Sequence, residues 1–128
     1  MKKHVWSLFT NIMSGQVLKK RYIAHKRTRE CENILKALWN SNMIEGYRIS
    51  TEGDTLMIFL RYQGTKSVIK KIKVISKPGH PVYYSAKQIW KINSNYHFIL
   101  FSTTKGFKTI IECKKERLGG EPIITVVF

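Results

Sequence analysis

The 128-residue chain reads as an α+β protein: two helices on a three-stranded sheet, then a small β-rich C-terminal subdomain with short helices. Three observations carry that reading. Two early segments repeat apolar residues at helical spacing, and from Met43 onward the period falls to two. The cluster Lys77-Pro78-Gly79-His80-Pro81 then interrupts the pattern before a second set of strands. This cluster divides the chain into an expected N-terminal subdomain, 1–76, and a C-terminal one, 77–128.

Val5, Leu8, Phe9, Ile12 and Met13 form the first helical stripe, and Ser14-Gly15 reads as its stop. A short strand follows in the basic segment Val17–Arg27. Cys31, Ile34, Leu35, Leu38 and Trp39 make the second stripe, with Thr28 as its N-cap and Glu30 and Glu32 complementing the helix N-terminus. Asn40-Ser41-Asn42 ends it. Tyr47 and Ile49, then Leu56, Ile58, Leu60 and Tyr62, alternate around the turn Glu52-Gly53-Asp54 and read as a hairpin. After the turn at Gln63–Lys66, Ile72 and Val74 alternate with Lys71 and Lys73, which reads as the third strand of the same sheet.

Beyond the proline cluster, Ser85-x-x-Gln88 is a capping-box pattern opening a short helix through Trp90. Tyr96–Phe101 reads as a buried strand, Lys108–Leu118 as a helix ended by Gly119-Gly120 in a left-handed cap, and Pro122–Phe128 as the last strand.

Composition narrows the function. The chain holds 23 Lys and Arg against 8 Asp and Glu, a net charge of +15. Met1–Arg29 carries eight basic residues and no acid, and Thr55–Ile111 carries ten and no acid. Such a surface repels itself unless a polyanion neutralises it, and nucleic acid is the commonest such partner. The two cysteines, Cys31 and Cys113, have no metal-ligand spacing, and neither do His4, His25, His80 and His97, so no metal or cofactor is expected. Two cysteines in a chain able to build a core point to buried thiols in a reducing compartment. The opening Met1–Phe9 has lysines before apolar residues, but Ser7, Thr10 and Asn11 break the run and no cleavage site follows, so it reads as structural.

No phosphate-binding glycine loop or nucleophile elbow is present, and Glu112 and Glu116, among Lys114, Lys115 and Arg117, read as salt-bridged helix residues. The expectation is a non-enzyme without a small-molecule substrate or a membrane. The most unusual local feature is Ser102-Thr103-Thr104-Lys105-Gly106, three hydroxyls and a lysine before a glycine. It fits either a hydroxyl-rich turn or a loop that reaches phosphate, 2′-hydroxyl or base edges. Tyr83 and Tyr84 pose a matching choice, one packing on a sheet and the other stacking on a base. Lys70, Lys71, Lys73 and Lys77 are the candidate phosphate contacts on the acid-free stretch.

The segments "SKPGHPVYYS", "FSTTKGF" and "ERLGGEPIITVVF", in this order and spacing, resemble the bacterial-type small-subunit ribosomal protein eight family, and Ile12–Gln16 resembles the end of that family's first helix. The resemblance implies a structural protein that binds the central domain of small-subunit ribosomal RNA and supports its assembly, with the fifth small-subunit protein as neighbour. Ser102, Thr103, Thr104, Lys105 and Gly106 would then form the RNA-reading loop. Gly119, Gly120 and Glu121 would shape the adjoining surface, Glu121 orienting hydroxyls or accepting from a base N–H. The alternative is a ribosome-independent regulator of its own or another message.

Departures from the family are plain. Asn11 and Met13 stand where arginines are usual, Pro81 stands for an arginine, and Thr104 replaces the second serine. The many Lys, Ile, Asn and Tyr residues suggest an AT-rich genome. The start of the chain also reads as the start of the family's core, with no transit peptide expected, which fits synthesis inside an organelle. The expected location is therefore the small subunit of the mitochondrial ribosome, with a plastid or the bacterial cytoplasm as alternatives.

Overall fold

The computed structural model describes residues 3–76, 79–93 and 98–128, with the side chains of Lys3 and His4 excepted. Lys77, Pro78, Tyr96 and His97 lie outside the described residues, and with them two parts of the sequence reading: the candidate contact Lys77 and the start of the expected strand at Tyr96. The chain forms two compact units that divide between Lys70 and Lys71.

The N-terminal unit contains α1 (Lys3–Val17), β1 (Tyr22–Lys26), α2 (Arg29–Asn40), β2 (Ile44–Ile49), β3 (Thr55–Leu60) and a two-rung hairpin of β4 (Tyr62–Gln63) and β5 (Lys66–Ser67). Its sheet is antiparallel in the order β1-β3-β2. Alternation does the sorting: Ile23 and His25 on β1 and Leu56, Ile58 and Leu60 on β3 are buried, whereas their neighbours along each strand are more exposed. Leu8 and Ile12 of α1 and Ile34, Leu35 and Leu38 of α2 complete that core, all fully buried. Thr28 caps α2 as expected, its hydroxyl accepting from the Cys31 N–H at 3.2 Å. His25 is held at its buried place by Asn11, whose Nδ2 lies 2.9 Å from His25 Nδ1.

Two readings of this unit need correction. Helix α1 runs through Ser14-Gly15 to Val17 instead of stopping there. Gly15 is a packing device: a Cβ at this place would sit 2.6 Å from Ile23 Cγ2 and 2.9 Å from Leu60 Cδ1. The third strand of the sheet is β1, and Lys71–Val74 goes elsewhere, because its hydrogen-bonding partner is the last strand of the chain.

The C-terminal unit contains β6 (Lys71–Val74), α3 (Ala86–Trp90), β7 (Phe98–Thr103), β8 (Gly106–Thr109), α4 (Ile110–Glu116) and β9 (Glu121–Val127). The sheet is antiparallel in the order β6-β9-β7-β8. Ile99 and Phe101 of β7 pack with Ile89 of α3 and Ile110 and Cys113 of α4, so both short helices cover one face of the sheet. Each helix opens with a capping box, Ser85 with Gln88 and Thr109 with Glu112.

Here the sequence reading places α4 too early and misassigns its end. Lys108 and Thr109 belong to β8, and Thr109 is the N-cap; the Thr-x-x-Glu spacing was the signal for it. The left-handed cap is Arg117, at φ 55°, followed by a Leu118 N–H donating to Cys113 O at 3.0 Å. Gly119-Gly120 therefore lies beyond the cap, between α4 and β9.

Candidate nucleic-acid interface

The hydroxyl-rich segment is the β7–β8 turn. Thr103 pairs with Gly106 across the hairpin, leaving Thr104 and Lys105 at the tip. Gly106 has φ +99°, a region that side-chain-bearing residues avoid, so glycine is needed for the chain to reverse here. Thr103 holds the turn closed: its hydroxyl donates to Gly106 O at 2.7 Å and accepts from the Lys105 N–H at 3.2 Å. The turn consumes one of the three hydroxyls. Among the described residues, the side-chain hydroxyls of Ser102 and Thr104 have no hydrogen-bond partner.

Strand register decides what stands beside Ser102. It lies opposite Phe107 on β8 and Glu121 on β9, so a hydroxyl, an aromatic ring and a carboxylate share one row across three strands. All three are half-buried. Phe107 escaped the sequence reading; hairpin register about Thr104-Lys105 is the signal that would have found it.

On the other side of β9's first residue the chain comes unusually close to itself. Gly120 forms a two-hydrogen-bond bridge with Tyr84, N–H to carbonyl at 2.9 Å in both directions. A Cβ on Gly120 would lie 2.8 Å from Ser102 O and 2.9 Å from Thr103 Cγ2. A Cβ on Gly119 would lie 2.9 Å from both Tyr83 Oη and Tyr84 O. The glycine pair lets three segments, 83–84, 102–103 and 119–120, meet where any side chain would wedge them apart.

That contact resolves the tyrosines. Tyr84 is half-buried, with its ring 6.3 Å from that of Phe101, and belongs to the core. Tyr83 is 69% exposed and keeps its ring on the surface. Ser102, Thr103, Thr104, Lys105, Gly106, Tyr83, Tyr84, Gly119, Gly120 and Glu121 thus lie in one neighbourhood. Lys71 and Lys73 do not join it. They are exposed on β6, at the other edge of the sheet, and pair with Val127 and Thr125 at the far end of β9. Lys70 is exposed in the N-terminal unit.

The acids of α4 are structural. Lys108 Nζ lies 3.9 Å from Glu112 and 3.8 Å from Glu116, and Glu112 also accepts from the Thr109 N–H. Cys113 sits behind them, buried, and burial followed by the two carboxylates pushes its thiol up from 9.0 to about 11. Burial also raises the Cys31 thiol. Neither thiol is a nucleophile at neutral pH. Among the described residues no cluster of His, Cys, Asp or Glu could hold a metal, and no helix is long and apolar enough to cross a membrane.

Comparison with known proteins agrees with this architecture. The family profile described as "Ribosomal protein S8" matches residues 4–128. The curated protein "Small ribosomal subunit protein uS8" of Pelagibacter ubique is 32% identical over 126 residues, covering 97% of this chain and 95% of that one. Proteins of the same name are 32% identical over 119 residues in Mycoplasmopsis synoviae, covering 91% and 90%, and 39% identical over 92 residues in Mycoplasmopsis pulmonis, covering 70% of each.

Proposed function

The chain belongs to the ribosomal protein S8 family, and from that membership we propose that it is a structural, non-catalytic constituent of the small ribosomal subunit that binds the central domain of small-subunit ribosomal RNA and supports subunit assembly. The observation that carries this reading is the convergence of the β7–β8 turn, the Gly119-Gly120 segment and Tyr83 on one surface. Hydroxyls, backbone groups and one exposed ring suit irregular RNA, whose functional groups and unstacked bases are accessible where regular A-form helix hides them.

In this assignment Ser102 and Thr104 present hydroxyls, Lys105 neutralises phosphate, and Tyr83 stacks. Thr103, Gly106, Gly119, Gly120 and Tyr84 hold the shape, and Glu121 orients Ser102 or accepts from a base N–H. The C-terminal part, 77–128, carries recognition. Lys70, Lys71, Lys73 and Lys77 supply sequence-independent attraction to phosphates. The fifth small-subunit protein is the proposed protein neighbour. The abundance of Lys, Ile, Asn and Tyr supports a mitochondrial ribosome as the setting.

Sedimentation of a native lysate tests the reading. A subunit constituent migrates with small subunits at one copy each. A protein found mainly in ribosome-free fractions is instead a regulator using the same surface.

A further inference from the structure

A second surface lies wholly within the N-terminal unit. Register aligns Tyr22 on β1, Phe59 on β3 and Gly46 on β2 in one row across the sheet. This is the sheet's exposed face, because Tyr22, Ala24 and Lys26 alternate with the buried Ile23 and His25. The rings of Tyr22 and Phe59 are 5.7 Å apart. The third place in the row holds no side chain, and the indole of Trp39 from the last turn of α2 reaches over it: a Cβ on Gly46 would sit 3.0 Å from that ring. Trp39 is steadied edge-on by Tyr47, with ring centroids 5.8 Å apart.

The result is a cleft of about 510 Å³ lined by Arg21, Trp39, Gly46, Tyr47, Arg48 and Phe59, with Glu45 and Leu60 completing the lining. Trp39 in the lining remains 47% exposed, and Tyr22, beside Phe59 in the row, 48%. The guanidinium of Arg48 lies 5.7 Å over the Phe59 ring, with Arg21 as the second cation. The one acid of the cleft, Glu45, stands 4.0 Å from Arg61, which offsets its charge.

We propose that this cleft binds single-stranded RNA, one nucleobase stacking between Phe59 and Trp39 while Arg21 and Arg48 take the flanking phosphates. The proposal rests on RNA being the ligand class of this protein and adds a site separate from the β7–β8 turn. Charge decides the occupant. Two arginines around aromatic faces attract a planar, anionic strand, and Glu45 leaves the cleft net positive. Stacking tolerates any base, so binding is expected to show little sequence preference.

The test uses the full chain and a short unstructured oligouridylate carrying one 4-thiouridine. Binding is followed by anisotropy, and photo-crosslinks are mapped by mass spectrometry. Trp39→Leu is expected to weaken binding about tenfold and Trp39→Phe to keep most of it, with the turn variant Ser102→Ala/Thr104→Ala titrated alongside to tell the two surfaces apart. Crosslinks on the wild type, which require no variant to fold, are expected on the peptides holding Trp39 and Phe59. Several results would overturn the proposal: no oligonucleotide binding, crosslinks only elsewhere, a folded Trp39→Leu with wild-type affinity, or a loss confined to Arg48→Gln. Oligonucleotide binding that vanishes with the turn variant would overturn it too, since the strand would then sit at the C-terminal unit. Loss of selectivity for structured ribosomal RNA is read separately and bears only on the turn.

Discussion

The two units carry nearly the same charge and expose different chemistry. Residues 2–70 hold thirteen Lys and Arg against five Asp and Glu, and residues 71–127 hold ten against three. Electrostatics alone would make them equivalent RNA-binding surfaces. The N-terminal unit shows arginines and aromatic rings on an open sheet face, whereas the C-terminal unit shows a turn with two hydroxyls that have no partner among the described residues, beside a glycine pair. Net charge would draw a polyanion to either unit; side-chain chemistry and backbone approach say how each surface would read it.

Glycines mark the difference most sharply, and they offer the largest predicted effect. A methyl on Gly120 meets a backbone carbonyl, Ser102 O at 2.8 Å, which cannot yield without breaking the β7–β9 pairing. A methyl on Gly15 meets side-chain carbons of Ile23 and Leu60, and helix propensity offsets part of the clash. Gly120→Ala is expected to cost about 3 kcal/mol and Gly15→Ala about 1 kcal/mol in urea denaturation. Equal losses would show that Gly119-Gly120 is ordinary loop chemistry.

The tyrosine pair comes next. Tyr84→Ala removes a ring from the core beside Phe101 and should lower stability by about 2 kcal/mol. Tyr83→Ala should leave stability within about 0.5 kcal/mol while weakening ribosomal RNA binding by about 1 kcal/mol. Filter binding and thermal melts separate the two effects, and a Tyr83 variant that loses stability but not affinity would reverse the assignment.

Lys70, Lys71 and Lys73 replaced together by glutamine should weaken all RNAs alike, lowering the slope of log affinity against log salt by about two. A slope that does not change would remove these lysines from the interface.

A pH dependence concerns the thiols, one in each unit. With its pKa raised to about 11, Cys113 keeps its proton in the folded state while the unfolded chain loses it near 9.0. The thiol's contribution to stability is thus fully present below pH 9 and is lost as pH rises toward 11. The difference in stability between wild type and Cys113→Ala should therefore shrink across that window. A constant difference would mean that the thiol is not sealed off by α4.

Much of the fold was legible from local pattern. Thr28 and Ser85 announced their helices because capping needs only neighbouring residues, and Leu56, Ile58 and Leu60 announced a half-buried strand. The illegible parts depend on distant residues. Ile72 and Val74 alternate as a strand must, but the partner that takes them out of the first sheet is β9, from Lys71 opposite Val127 to Val74 opposite Ile124. Gly15 and Gly119-Gly120 read as stop and cap because sequence does not distinguish a glycine chosen for its backbone angle from one chosen for a neighbour's approach. Similarly, the three hydroxyls of Ser102–Thr104 were visible as a group, but their division of labour was not. Only the hairpin geometry shows that Thr103 closes the turn. The cleft over Gly46 was hidden for the same reason, since it exists only through register.

The most direct test separates hydroxyls from charge at the β7–β8 turn. Ser102→Ala/Thr104→Ala leaves net charge and the Thr103 turn bonds intact. Its binding to a central-domain ribosomal RNA fragment and to an unrelated duplex would be titrated across salt, after circular dichroism has shown it folded. Discrimination between the two RNAs should fall by about 1–3 kcal/mol while the salt slope stays that of the wild type. A folded variant that discriminates as well as the wild type would contradict the account and reduce the hydroxyls to turn chemistry.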